Sequence, residues 1–188
     1  MRSLRIAFAG ASGTGKTTLS KWISETYGLP INPVGSRSVA KSMGFDNPYD
    51  VDKAGKRAEF QRQLVTQKRQ WEDAHESFVT DRTTLDNLTY TIFHDVGAID
   101  QELMNSVLAG LSRYTHILIC PSNVFCDLDG DPNRVSSRVY HELYDTVLRA
   151  LISKHAPKNS KREPRVQAIY RRGLEERKGY LAALLERK

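Results

Sequence analysis

Residues 10–17 read Gly-Ala-Ser-Gly-Thr-Gly-Lys-Thr. Glycines at this spacing keep side chains off a tight loop, so backbone N–H groups can face anionic oxygens. A helix opening at the end of the loop adds partial positive charge. The apolar run Ile6-Ala7-Phe8-Ala9 precedes it and the helical stretch Thr18–Ile23 follows. That is the strand–loop–helix context a phosphate-binding loop requires. The pattern predicts phosphate contacts from Gly10, Ser12, Gly13, Thr14, Gly15, Lys16, Thr17 and Thr18. Lys16 is expected to reach β- and γ-phosphates, and the Thr17 hydroxyl to ligate Mg²⁺. ATP with Mg²⁺ is the expected cofactor pair.

The second group is Asp81-Arg82-Thr83-Thr84-Leu85-Asp86, directly after the short apolar stretch ending at Thr80. In open parallel sheets, ligands sit at the carboxyl ends of strands. Asp81 there is placed to act as base on an acceptor oxygen or to hold Mg²⁺ through water. Arg82 is placed to clamp a phosphate bidentately. The competing reading is a helix cap with a structural ion pair. Arg134 and Arg138, four apart at an expected helix start, share a face and could neutralise charge on transferring phosphate; a solvated helix start would give the same pattern. Arg37, Phe60, Gln61 and Asp86 are candidates for acceptor binding. Arg172, in the turn after the last expected strand, could flank the donor base.

Hydrophobic periodicity supplies the elements that position these groups. Strands are expected at 4–8, 31–34, 77–80, 116–120 and 165–169, the second interrupted by Pro33. Helices are expected at 16–27, from Asp50 or Asp52 to about His75, at 88–94, 101–111, 136–153 and 174–187. Along the long helix, Phe60, Leu64, Gln67 and Trp71 form the apolar stripe. Strands alternating with helices imply a parallel sheet covered on both faces. The chain has 188 residues, a length that suits one domain over 1–188.

The net charge is +6, and residues 149–188 carry twelve Lys/Arg against four Asp/Glu. A basic end segment is ordinarily a solvated face, although it could draw in polyphosphate or nucleic acid. Cys120 and Cys126 lack metal-site spacing and read as reduced thiols. With no leader-like start and no run of membrane-spanning length, a cytoplasmic location away from membranes is expected. The five histidines form no metal-type cluster. An Asn-Lys-x-Asp guanine reader is missing, which excludes a switch GTPase.

Together these segments resemble the nucleoside/nucleotide kinase branch of the P-loop fold. Asp81-Arg82 resembles the Asp-Arg of thymidylate kinases, and Arg134 and Arg138 resemble lid arginines. The overall likeness is to bacteriophage-type deoxynucleoside monophosphate kinases and nicotinamide riboside kinase domains. The resemblance implies a three-layer sandwich with a five-stranded parallel sheet in order 2-3-1-4-5. It also implies a short mobile lid at about 127–140, ATP and Mg²⁺, a small-molecule nucleotide substrate, and often a homodimer. Arg37 and Arg82 would lie near the acceptor phosphate. Thr83 stands where thymidylate kinases usually carry an aromatic residue, so the acceptor base is left open. The leading expectation is γ-phosphoryl transfer from ATP to a deoxynucleoside monophosphate. The alternatives are a nucleoside or nicotinamide riboside kinase, a nucleic-acid-directed ATPase or DNA-base kinase, and an ATP sensor without turnover.

Overall fold

The computed structural model describes residues 3–127, 135–156 and 165–186. Four strands, β1 (Arg5–Ala9), β2 (Phe78–Thr80), β3 (His116–Ile119) and β4 (Arg165–Ala168), form a parallel sheet in order β2-β1-β3-β4. Ile6 of β1 pairs with Val79 on one side and His116 on the other, and Ile117 pairs with Val166.

Side-chain alternation along the strands divides the core in two. Ile6 and Phe8 face α1 (Lys16–Tyr27) and α8 (Leu174–Leu185), against Leu19, Ile23, Leu181 and Leu184. Ala7 and Ala9 face α5 (Thr84–His94), α6 (Gln101–Leu111) and α7 (Arg138–His155), against Leu88, Val107 and Leu148. Burying one such Leu or Phe contributes about 2 kcal/mol, so both helical layers are held mainly by this packing. A third cluster, Val39, Val51, Phe60 and Leu64, joins α2 (Ser36–Ser42), α3 (Pro48–Lys53) and α4 (Arg57–Asp73). The chain leaves β1 for one flank of the sheet and returns through β3 on the other. The connections that leave the carboxyl ends of these two strands therefore part and open a crevice, and the glycine loop begins there.

The structure corrects several sequence expectations. Among the described residues the sheet has four strands, not five, so the expected order 2-3-1-4-5 loses its edge strand, and the rest, renumbered, reads β2-β1-β3-β4. The expected strand at 31–34 is reduced to one parallel bridge between Ile31 and Val79. Proline has no N–H to donate, so the ladder stops at Pro33, and the next amide, Val34, is taken by Asn32 Oδ1 at 2.9 Å. The long helix expected from Asp50 is two helices, separated at Gly55 with φ 65°. Asn47 caps the first of them, accepting from the Tyr49 amide. The helix expected from 136 begins at Arg138 with Ser137 as its cap.

The buried face of α4 is also not the expected stripe. Gln67 and Trp71 are half-buried, whereas Arg57, Gln61, Lys68 and Glu72 are buried beside Phe60 and Leu64. Glu72 accepts from Asn32 Nδ2 at 3.3 Å and Tyr114 Oη at 3.4 Å, with Lys68 Nζ 3.6 Å away. Burial raises its carboxyl above the ordinary carboxylate value despite these partners. The native chain then binds this proton more tightly than the unfolded chain, so this group makes stability fall as pH rises above about 4.5. Glu72→Gln should flatten that slope in denaturation curves taken from pH 4 to about pH 7. Equal slopes in parent and variant would show that Glu72 carries no such linkage.

Candidate active site

The glycine loop is shaped by where its carbonyls go. Cys126 Sγ donates to the Ser12 carbonyl at 3.5 Å. The Asp127 amide donates to the Gly13 carbonyl at 2.9 Å. Arg177 Nη2 donates to the Thr14 carbonyl at 2.8 Å. In a planar trans peptide the following N–H points opposite to the carbonyl. Three carbonyls held from behind therefore turn the amides of Gly13, Thr14 and Gly15 to the other side. Those amides, with the backbone amides of Lys16 and Thr17, make no hydrogen bond among the described residues. They sit at the start of α1, where the helix terminus favours an anion. Gly13 has φ 76°, and a Cβ there would lie 2.2 Å from the Asp127 carbonyl oxygen, so the close approach depends on glycine.

The loop opens on a cleft of about 830 Å³. Ser12, Gly13, Thr14, Gly15, Lys16, Thr17 and Thr18 line one end; Asp81 and Arg82 flank it, and Arg37, Phe60 and Gln61 lie on the wall beyond. Lys16 is buried, and its ammonium donates to the Ala11 carbonyl at 2.5 Å and to Thr14 Oγ1 at 3.1 Å. Burial, then the nearby Arg82, lower its pKa to about 8, while Asp81 and Asp86 oppose the shift. Thr17 Oγ1 donates to Asp81 Oδ2 at 2.5 Å. The other Asp81 oxygen is buried with no hydrogen-bond partner among the described residues. A hydroxyl and a carboxylate side by side are the hard oxygen donors that suit Mg²⁺, which takes few protein ligands alongside phosphate and water.

Arg82 is held in place from three directions. Its guanidinium donates to the Gly10 carbonyl at 3.3 Å and Tyr90 Oη at 3.2 Å, and lies 3.6 Å from Asp86 Oδ1. It also stacks 4.9 Å from the Tyr90 ring centroid. Its side chain keeps 30% of its surface exposed, enough to meet a ligand without moving far.

Other expected site residues lie elsewhere. Asp86 does not line the cleft; it is fully buried and accepts from the Gly10 amide, the Thr83 amide and hydroxyl, and Tyr144 Oη. Its role is to anchor the strand end on α5. Gly10 is likewise withdrawn: its amide is spent on Asp86, and a Cβ there would lie 2.4 Å from the Cys120 carbonyl oxygen. Arg138 and Arg172 are exposed and outside the cleft lining. Because α7 begins at Arg138, the helical pairing expected with Arg134 does not apply. Arg134 itself, and half of the expected lid at 127–140 (residues 128–134), lie outside the described residues.

Several cleft residues escaped the sequence reading. Arg57 and Lys68 are buried cations on α4, and Asn87, Tyr90 and Tyr140 line the same wall. Gln61 Oε1, Asn87 Oδ1 and Tyr140 Oη are buried and unpartnered among the described residues. Such groups are costly unless a ligand or water meets them. The signal that could have found the α4 set is its spacing: Arg57, Gln61, Lys68 and Glu72 follow one helical face. Asp145 holds the loop from α7 by accepting from the Ala11 and Ser122 amides at 3.3 and 2.6 Å.

Residues 5–158 match the family model described as an AAA domain. No curated protein matches the chain. Among solved structures, the chain is similar to deoxyadenosine kinase from M. mycoides with bound dATP. That match has a TM-score of 0.62 at 16% identity and covers 98% of this chain and 100% of that one. It is similar to the NadR protein in complex with NAD and AMP-PNP, with a TM-score of 0.66 at 13% identity, over 98% of this chain and 49% of that one. It is also similar to thymidylate kinase from Candida albicans, with a TM-score of 0.56 at 16% identity, over 98% and 92% of the two chains. At these identities the likeness establishes the fold, the α/β P-loop kinase fold with a parallel sheet. No helix among the described residues is long and apolar enough to cross a membrane.

The lowered Lys16 pKa has a measurable consequence. Between about pH 8 and 10.5 the native chain binds fewer protons at Lys16 than the unfolded chain does. Stability of the ligand-free protein should therefore gain from this group as pH rises through that window. Lys16→Met should remove the gain, as read from urea denaturation at closely spaced pH values. A gain of the same size in the variant would contradict the burial of an ammonium at this position.

Proposed function

This chain belongs to the AAA-domain family, and from that premise we propose that it transfers the γ-phosphoryl group of ATP to a deoxynucleoside monophosphate. The observation that carries this reading is the joint opening of the glycine loop and Asp81-Arg82 onto one cleft, with Thr17 and Asp81 in direct contact at 2.5 Å. Phosphoryl transfer asks the protein chiefly for positioning and charge neutralisation. The free amides of the loop and Lys16 would bind the donor phosphates. Thr17 and Asp81 would hold Mg²⁺, which when bound neutralises phosphate charge. Arg82, and Arg37 in the lining of the same cleft, would grip the acceptor phosphate.

The guanidinium groups of the cleft favour an acceptor that is itself an anion. Lys16, Arg37, Arg57, Lys68 and Arg82 line it with Asp81 and Asp127, and Asp52, Glu72 and Asp86 lie behind the lining beside Arg57, Lys68 and Arg82. Arg82, with 30% of its side chain exposed, and Arg37 would meet a phosphate on the acceptor; a neutral nucleoside would leave them without that contact. Phe60, with Gln61 and Asn87 offering unpartnered carboxamide oxygens, would receive the acceptor base. Among the structural neighbours, thymidylate kinase is named for a monophosphate acceptor and supports this reading, whereas deoxyadenosine kinase is named for a nucleoside acceptor and supports the second. A second reading, a free nucleoside as acceptor, rests on Asp81, a carboxylate beside the donor end that is placed to take a hydroxyl proton.

A coupled assay with ATP and Mg²⁺ separates the two. Turnover is expected with one or more of dAMP, dCMP, dGMP and dTMP, and not with the corresponding nucleosides; turnover confined to nucleosides would overturn the monophosphate reading. Lys16→Ala should abolish turnover with the fold retained by circular dichroism. Arg82→Ala should raise the acceptor KM by about tenfold or more, the scale of one charge-assisted contact, with a smaller change in the ATP KM. A shift confined to ATP would remove Arg82 from the acceptor side.

A further inference from the structure

Arg177 lies on α8, beyond the family-matched span of residues 5–158, yet it reaches the centre of the phosphate loop. It is 3% exposed. Its guanidinium donates to the Thr14 carbonyl and lies 5.4 Å from the Phe125 ring centroid. No carboxylate pairs with it among the described residues, and its Nε is buried without a partner. A buried cation with only neutral partners, the Thr14 carbonyl, the Phe125 ring and the Cys120 thiol, is costly on its own. If α8 merely had to pack, an apolar side chain of this size would serve better.

We infer that Arg177 is a positioning residue for triphosphate binding, supplied by the last helix to the loop that the family-matched segment contains. Two effects combine. By holding the Thr14 carbonyl outward, Arg177 turns the Gly15 amide toward the cleft, since the two lie on opposite edges of one peptide plane. Its unpaired charge, set behind the loop in a region of low polarity, adds attraction for an anion in front of the loop and is itself relieved when one binds. Arg177 touches the loop and not the nucleotide. The inference rests on the phosphotransferase reading only in that ATP is taken as the ligand.

The test measures MgATP binding by calorimetry on the full chain, with thermal midpoints recorded alongside. Arg177→Met should weaken MgATP binding by about tenfold or more, the effect of one buried charge-assisted hydrogen bond. Arg177→Lys, which keeps the charge but not the forked geometry, should fall between parent and Arg177→Met. Leu184→Ala, a packing change on the same helix, should lower the thermal midpoint and leave the affinity within about twofold. If Arg177→Met does not fold, Arg177→Lys carries the test with an expected loss of several-fold. Unchanged affinity in the folded Arg177 variants, or an equal loss in Leu184→Ala, would reduce Arg177 to a packing residue and overturn the inference. A parent chain that binds no MgATP would overturn both this inference and the phosphotransferase reading. A parent that binds it equally well with and without Arg177 overturns this one alone.

Discussion

Backbone carbonyls and phosphates repel each other, so a loop can cradle a phosphate only if its own oxygens are turned away and kept there. In this protein that constraint is met one peptide at a time. The carbonyls of Ser12, Gly13 and Thr14 are claimed by Cys126, Asp127 and Arg177. The amides of Gly10 and Ala11, which would otherwise compete for direction, are tied to Asp86 and Asp145. These partners come from α5, from the segment after β3, from α7 and from α8. The sandwich of helices around the sheet therefore does more than bury apolar surface. Each layer delivers at least one polar contact to an eight-residue loop, and the loop's shape is a property of the whole fold.

The same arrangement concentrates positive charge. Lys16 and Arg82 face the cleft close enough for each to disfavour the other's charge, and Asp81 and Asp86 offset part of that cost. Asp86 is fully buried and stays inside the structure, whereas Asp81 keeps contact with the cleft through Thr17. Two carboxylates five residues apart thus divide the work, one holding the frame and one facing the ligand. Burial decides which does which.

Much of this was legible in the sequence where local chemistry dictates structure. The loop, its preceding strand and the helix from Lys16 to Tyr27 follow from glycine spacing and apolar periodicity, and Asp81-Arg82 follows from its place after a short buried strand. What escaped notice depends on tertiary contacts. Asp86 looks like a ligand-binding acid until its partners from β1 and α7 are seen. Arg177 sits in a basic, helical stretch like many solvated ones, and nothing local marks it as buried. On α4, a search for apolar residues passes over Arg57 and Lys68, because a helix face turned toward a polar cleft is not apolar. The strand expected near Ile31 fails for a local reason, the proline at 33, which has no N–H to carry the ladder on.

That failed strand leaves a mark on how the molecule meets its neighbours. An open sheet margin normally offers unsatisfied backbone groups that another polypeptide can zip onto, a route to aggregation. Beside β2 the margin is occupied by residues 30–32, with the Pro30 carbonyl accepting from the Val79 amide and the Asn32 amide donating to the Val79 carbonyl, and is then interrupted by Pro33. With one proline on either side of a single bridge, neither residue 30 nor residue 33 has an N–H to donate, and a strand added on this side would find only a short, broken ladder.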